Sequence, residues 1–288
     1  MIKYLKRNQI AIQKYDACIE KSIQTKIYAF SWYLDCVAHS WGVLVLNDYE
    51  AVMPIPWKRK YGIKYVTQPF FCQQLGVFSL VETSIETQRT FINKIPRSFL
   101  KIQTNFNSRN FLEAPMISKT NYILDLNFSY DHLFKSCNKG RKHAIKVGGK
   151  HELMLRKTHI DDLIKTTKQF YKYGDFSIED YRRLSHLAKV TLVKNKGFVT
   201  GIFKGDTFLG GAFFLKDHQR ITYLFSSFTE EGKTMQAPSY LINGIIKQHE
   251  NSSLILDFEG GNIANIESFF RSFGAKKEPY YLLNKYNI

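Results

Sequence analysis

Residues 197–228, GFVTGIFKGDTFLGGAFFLKDHQRITYLFSSF, decide how this chain folds. Residues 197–203 are rich in β-branched and aromatic side chains, Lys204-Gly205-Asp206 is a glycine-containing turn, and residues 207–215 return to strand chemistry. Lys216-Asp217-His218-Gln219 turns the chain again, and residues 220–228 give a third run of the same kind. Three such runs predict an antiparallel meander.

Working outward, Pro238 suits the first turn of a helix in which Tyr240, Leu241, Gly244, Ile245 and Gln248 recur at helical spacing. Leu254-Ile255-Leu256 ending in Asp257 reads as a short, fully buried strand, broken by Gly260-Gly261. Ile263, Ile266, Phe269, Phe270 and Phe273 mark an amphipathic helix with Asn262 as N-cap and Gly274 as its stop, and residues 280–286 form a last strand. Upstream, Ser129 caps a helix stapled by Phe128 and Leu133, residues 152–157 alternate as a strand, and helices cover 160–173 and 177–190. A coarser version of this order fills the start of the chain. It has helices near 11–22 and 30–38, a meander (42–46, a turn at Asn47-Asp48, 50–56, a basic turn Lys58-Arg59-Lys60-Tyr61-Gly62, and 63–68), a helix at 84–95 and a strand at 99–104. No residue-level repeat accompanies it, so the duplication rests on element order. The prediction is an α/β (α+β) chain of two lobes, 1–120 and 121–288, each a mixed, mainly antiparallel sheet flanked by helices.

A hydrophobic fraction of 44% with only 7 prolines among 288 residues excludes a long disordered tail. The 23 Phe and 17 Tyr read as thick aromatic cores. The segment beginning Met1-Ile2-Lys3-Tyr4-Leu5-Lys6-Arg7 never develops the apolar run of a signal or a membrane span, which predicts a cytoplasmic protein for which peripheral membrane contact stays open. Cys18, Cys36, Cys72 and Cys137 form no CxxC pair and the 8 His show no HxH or HxxxH spacing, so neither a disulfide framework nor a metal site is expected. The formal charge of +16 favours anionic partners without choosing among them.

Leu256-Asp257-Phe258-Glu259-Gly260-Gly261 followed by Phe269-Phe270-Arg271-Ser272-Phe273-Gly274-Ala275, in this element order, resembles the FemAB-like branch of the GNAT acyl-CoA N-acyltransferase superfamily. Arg141-Lys142-His143-Ala144-Ile145-Lys146 is similar to the basic, Arg-led helix that begins the second lobe in that group. The likeness runs over 122–288 and rests mainly on element order over 1–120. It implies tandem GNAT-like lobes and transfer of an acyl or aminoacyl group; the branch includes bacterial aminoacyltransferases that extend peptidoglycan stem peptides in cell-wall synthesis using aminoacyl-tRNA. It further implies a reaction cleft at the lobe junction, an oxyanion met by backbone N–H groups near Ser226 and Ser227 beside a splayed central strand, and no firmly bound cofactor, acyl-CoA or aminoacyl-tRNA being the donor. Acetyl-CoA-using members carry an Arg/Gln-x-x-Gly-x-Gly/Ala turn whose amides hold the pyrophosphate. Here the corresponding stretch, Thr229 to Ala237, keeps one glycine, leaving Gly232, Lys233 and Thr234 as the donor-binding candidates.

Asp257 and Glu259 lie two apart at a strand end, so an extended backbone points both carboxylates to one side, where either could accept the ammonium proton of an attacking amine. Each could equally cap the helix that follows. Glu259, followed by two glycines, is the better proton acceptor, and Asp257, ending the apolar run, is the better support for the turn. Between Lys135 and Lys157 eight basic residues face one acidic residue, and Lys139, Lys142 and Lys146 share a helical face that would hold phosphates or simply be solvated. Arg141, Lys142 and Lys146 are thus candidate substrate-binding residues. Gln68 and Phe70, in the mixed segment Gln68-Pro69-Phe70-Phe71-Cys72, would line a substrate groove or pack as a turn. Cys72 has no His placed to activate it. The leading expectation is direct acyl or aminoacyl transfer to an amine of an anionic or nucleotide-linked substrate, with tRNA a possible partner. A CoA-dependent N-acetyltransferase and a catalytically inactive GNAT-like protein binding an anion or RNA are the alternatives, and the oligomeric state stays open.

Overall fold

A computed structural model describes residues 1–110, 116–170 and 176–287. Chain order opens with β1 (Ile2–Lys6), α1 (Ile12–Lys21), α2 (Ser31–Val37), β2 (Ser40–Leu46), β3 (Ala51–Lys60), β4 (Ile63–Thr67), β5 (Phe78–Ser79), α3 (Ile85–Asn93), β6 (Phe99–Phe106) and β7 (Met116–Asp125). It continues with α4 (Tyr130–Ser136), α5 (Lys139–Lys150), β8 (Met154–Lys157), α6 (Ile160–Phe170), α7 (Ile178–Val193), β9 (Gly197–Lys204), β10 (Thr207–Lys216) and β11 (Arg220–Phe228). Last come α8 (Glu230–Thr234), α9 (Ala237–Gln248), β12 (Ile255–Asp257), α10 (Ala264–Arg271) and β13 (Lys276–Tyr286). Two compact units result: Met1–Thr120 with Pro279–Ile288, and Asn121–Glu278.

In the first unit the strands run β1-β2-β3-β4-β6-β13, antiparallel except for the parallel pair β4 and β6. Pro54 and Pro56 sit inside β3, where a missing N–H should break a ladder. They are tolerated because on its second edge β3 pairs with β5 only at Ala51 and Val52 and with β4 only from Trp57 onward, leaving the prolines between with one neighbour, β2. Leu44, Met53, Ile55, Val66, Phe91, Ile102 and Phe106 pack as this unit's core.

In the second unit the order is β7-β12-β11-β10-β9-β8. The meander β9-β10-β11 forms as its composition predicts, with α9 and α10 contributing Leu241, Ile242, Ile245 and Phe270 to a core shared with Leu133, Ile145 and Phe258. Helix α5 approaches α9 closely at Gly148, where a Cβ would lie 3.0 Å from Tyr240.

Several local expectations shift. The basic turn narrows to Tyr61-Gly62, because Lys58, Arg59 and Lys60 extend β3 as register partners of Tyr65, Lys64 and Ile63. Ser129 does cap α4, accepting from the His132 amide, but Phe128 stacks on the His132 ring at 4.6 Å instead of stapling Leu133. Helix α10 has Ile263 at its N-cap with no side-chain cap, so Asn262 does not serve there, and Ile263 and Ile266 remain exposed. Gly274 does stop the helix, at φ +85°. The end of the helix read over 160–173 lies outside the described residues. All four cysteines are buried free thiols.

Candidate active site

The second unit opens its sheet at one place. Strands β11 and β12 pair in parallel through Arg220↔Ile255, Ile221↔Leu256 and Thr222↔Asp257 only. Strand β11 then runs on to Phe228, and β12 ends at Asp257. The cause is local: Glu259 adopts φ +53° and Gly261 φ +150°, backbone that cannot continue a strand. For Glu259 the left-handed conformation costs about 1–2 kcal/mol. Among the described residues no strand pairs with this edge of β11 beyond Thr222. Its other edge stays paired to β10 through a bulge at the Phe213/Phe214 step. Backbone N–H groups on a strand alternate between edges, so one of the adjacent amides of Ser226 and Ser227 faces the unpaired side. The Ser227 side chain is fully buried, and its hydroxyl has no hydrogen-bond partner among the described residues.

The turn after β12 is fixed by a buried polar network. Asp257, 1% exposed, accepts from Arg220 Nη1 at 2.8 Å, from Asn121 Nδ2 at 2.8 Å and from the Glu259 amide at 3.0 Å. Asn121 Oδ1 in turn accepts from the Gly260 amide at 3.0 Å. Arg220 also reaches Glu278, with Nη2 to Oε1 at 2.6 Å and Nη1 to Oε2 at 3.0 Å. Burial by itself would lower the Arg220 pKa; the charges and hydrogen bonds of Asp257 and Glu278 outweigh it and raise the pKa above its ordinary value. Asp257 therefore sits against a guanidinium with its lone pairs engaged, well placed to hold the turn. The idea that Asp257 and Glu259 point to one side fails, because the left-handed backbone at Glu259 removes the extended geometry it needs. Glu259 itself is half-buried at the turn.

A second polar contact lies on the same elements. Tyr122, 1% exposed, donates from its hydroxyl to Glu267 Oε1 at 2.7 Å, and Lys277 stands 3.6 Å from the same oxygen. Burial and then the Glu267 acceptor push the Tyr122 hydroxyl up to about 12, so it remains a donor.

The remaining candidates are placed as follows. Gly232, Lys233 and Thr234 lie in the helical turn α8, where the amides of Gly232 and Lys233 both go to Thr229, at 3.0 Å each, and the Thr234 hydroxyl goes to the Glu230 carbonyl at 3.0 Å. Gly232 is small because a Cβ there would lie 2.2 Å from the Leu209 carbonyl oxygen, and Lys233 pairs with Glu230 at 2.8 Å. The Gly232 and Lys233 amides are thus engaged within the turn, and Glu230 and Glu231 put negative charge in its first turn, which does not suit a phosphate. Arg141 lies over the rings of Phe269 and Phe273, 4.1 and 4.6 Å from their centroids, and donates to Ser272 Oγ at 2.8 Å and to Ser239 Oγ. Burial lowers it to about 10, and it stitches α5 to α9 and α10 where a phosphate contact was expected. Lys142 donates to the Lys135 carbonyl at 2.7 Å, at the last turn of α4, and so leaves the expected three-lysine face. Lys139, Lys146 and Lys150 stay exposed.

Gln68 belongs to the first unit and spans that unit's own strand opening. Its Oε1 accepts from the Asn105 amide at 3.1 Å and the Thr104 hydroxyl at 3.2 Å, and its Nε2 donates to the Cys72 carbonyl at 2.8 Å. These bonds make the segment a packed turn against β6. Phe70 is 47% exposed with its ring 6.3 Å from that of Phe71. Sequence reasoning passed over Asn121, Arg220 and Glu278. An arginine opening a strand otherwise bound for the core was the one available signal. Among the described residues no group of three or more His, Cys, Asp or Glu is placed to hold a metal, and no helix is long and apolar enough to cross a membrane.

No protein-family model matches this chain, and no curated protein matches it in sequence. Solved structures do. FemX superposes with a TM-score of 0.71 at 9% identity, covering 97% of this chain and 96% of FemX. A conserved protein of unknown function from Bacteroides thetaiotaomicron VPI-5482 gives 0.65 at 11% identity, covering 99% of this chain and all of that one. A tandem GNAT protein from the clavulanic acid biosynthesis pathway gives 0.54 at 8% identity, covering 99% and 98%. The chain thus has the FemAB-like, tandem GNAT fold.

Proposed function

We propose that this protein is an acyltransferase that moves an acyl or aminoacyl group from an activated carrier to an amine, using the open strand splay of the second unit. The observation that carries the reading is the parting of β11 from β12 after Thr222↔Asp257, with the Glu259 amide held by Asp257 and the Gly260 amide by Asn121. A donor carbonyl lying along the free edge of β11 meets an outward backbone amide of Ser226 or Ser227, which supports the oxyanion. Glu259 takes a proton from the substrate ammonium, and the freed amine attacks the carbonyl carbon directly. The new C–N bond forms as the bond to the carrier breaks, and the proton lost by the nitrogen passes to the departing oxygen or sulfur. No covalent enzyme intermediate is needed.

The engaged amides of Gly232 and Lys233, with Glu230 and Glu231 beside them, favour a carrier other than CoA, and aminoacyl-tRNA is the donor we place first, with acyl-CoA second. Lys139, Lys146 and Lys150, exposed on α5, give the donor or a nucleotide-linked acceptor its phosphate contacts. An amine on a bacterial cell-wall precursor, reached in the cytoplasm, is the acceptor class in keeping with this donor. The test is a transfer assay with purified protein, pairing aminoacyl-tRNA, acetyl-CoA and longer acyl-CoAs with UDP-linked muropeptides and simple amines, guided by ligand-induced thermal shifts. Product formation that depends on Glu259 supports the reading. Binding of these carriers with no transfer to any acceptor would leave an anion-binding protein in its place.

A further inference from the structure

The first unit holds a cavity of about 800 Å³ that shares no residue with the splay described above. It sits at the N-terminal ends of β4 and β6, the opposite end of that strand pair from Gln68. Its walls are aromatic. Trp57 and Tyr4 flank Phe99 with ring centroids at 5.9 and 6.0 Å, and Trp41 is 5% exposed. Its charges are arranged with equal care. Arg7 lies over Trp41 at 5.2 Å and is neutralised by Asp35 through Nη2 to Oδ2 at 2.6 Å, while Asp35 also accepts from Trp41 Nε1 at 2.8 Å. Lys64 lies over the Trp57 ring at 5.2 Å, and neither it nor Lys6 has a carboxylate partner among the described residues. The cavity therefore carries two uncompensated ammonium groups beside flat apolar walls.

Tyr4 completes it. Its hydroxyl has no hydrogen-bond partner among the described residues, and burial raises it to about 12, so it stays a neutral donor. Gly42 makes room for it, since a Cβ there would lie 2.4 Å from the Tyr4 hydroxyl oxygen. Small-molecule sites commonly occupy about 300–1,000 Å³, lined by aromatic groups with a few placed polar ones. This volume is too large to be filled by a bare inorganic anion.

We infer that the first unit binds a ring-bearing organic anion in this cavity, its ring against the Trp57–Phe99–Tyr4 wall and its anionic group on Lys64 and Lys6. A nucleoside monophosphate and an aryl carboxylate both offer that chemistry, and the test separates them. Two of the chain's three tryptophans line the cavity, so intrinsic fluorescence reports occupancy. Intact protein is titrated with UMP, AMP, phenylacetate, uridine and inorganic phosphate. At least one of the three ring-bearing anions should give saturable quenching. Uridine, inorganic phosphate, and the same anion against Lys64→Gln should each bind about tenfold or more weakly. The exposed Lys6→Gln gives a second reading should Lys64→Gln fold poorly, and Lys94→Gln, outside the cavity, should change nothing. Absence of saturable quenching by all three anions up to about 10 mM would overturn the assignment. So would an affinity indifferent to both the Lys64 and Lys6 changes.

Discussion

Each unit contains two parallel strands that pair briefly and then part, and the two partings are finished differently. In the first unit β4 and β6 pair from Lys64↔Phe99 to Thr67↔Gln103, and the chain itself then fills the gap. The Gln68 amide bonds Thr104 and Asn105, and Leu75 lies alongside β6, donating to the Asn105 carbonyl at 2.8 Å and accepting from the Asn107 amide at 2.9 Å. In the second unit nothing of the kind follows Thr222↔Asp257 among the described residues. The polar groups there bind the turn and leave the β11 edge unpaired. The same supersecondary device is thus used once for packing and once as an opening. Backbone groups without partners are costly when buried, so an edge left open calls for a ligand or solvent to meet it.

The largest effect that would sharpen this contrast is kinetic. Glu259→Gln should lower turnover with an identified donor and acceptor by about 10²- to 10⁴-fold, the span for loss of a general base, with an unchanged melting temperature. Initial rates on both proteins decide it, and a fully active variant would remove the open splay from the chemistry. Next comes Arg220→Met. It leaves Asp257 and Glu278 buried without their cation, and urea unfolding should show a loss of about 3–5 kcal/mol. A cost below about 1 kcal/mol would mean that the network does not fix the turn.

Gln68→Ala tests the closed side. Removing a half-buried amide that closes the first unit's gap should cost about 1 kcal/mol in the same unfolding experiment, with turnover per folded molecule unchanged. A steep drop in turnover at intact stability would show the two openings to be functionally alike. The smallest effect is a pH dependence confined to the second unit. Burial, aided by the Lys216 charge, lowers the pKa of His249, whose ring stacks on Phe198 and whose Nδ1 lies 3.0 Å from the Ile245 carbonyl. A folded pKa below the unfolded one means that the native state binds fewer protons. The contribution is therefore complete above about pH 6.5 and is lost as pH falls through the lower, folded value. His249→Gln should flatten the stability profile on the acid side of about pH 6.5, and a parallel profile in both proteins would assign the slope elsewhere.

Much of this was legible in the chain. The meander, the order of helices and strands, and the end of β12 at Asp257 follow from side-chain period and from glycine placement, both properties of a few adjacent residues. The buried, supporting place of Asp257 was also legible, since it closes an apolar run. What failed were readings that assume a side chain near a motif serves that motif. Arg141 is drawn into a sandwich with Phe269 and Phe273, more than a hundred residues away, and Gly232 is small because the Leu209 carbonyl crowds it.

The sequence by itself determined where the main strands and helices fall, that the short strand ending at Asp257 is followed by a break at Gly260-Gly261, and that the chain has a FemAB-like architecture. Tertiary structure decided which of two equivalent strand openings is filled and which carboxylate is buried against Arg220. The reason is physical: Asp257 meets Asn121 and Arg220, 136 and 37 residues away, and Gln68 meets Asn105, 37 residues away. Contacts at that range depend on how sheets register, and no local pattern of side chains encodes the register.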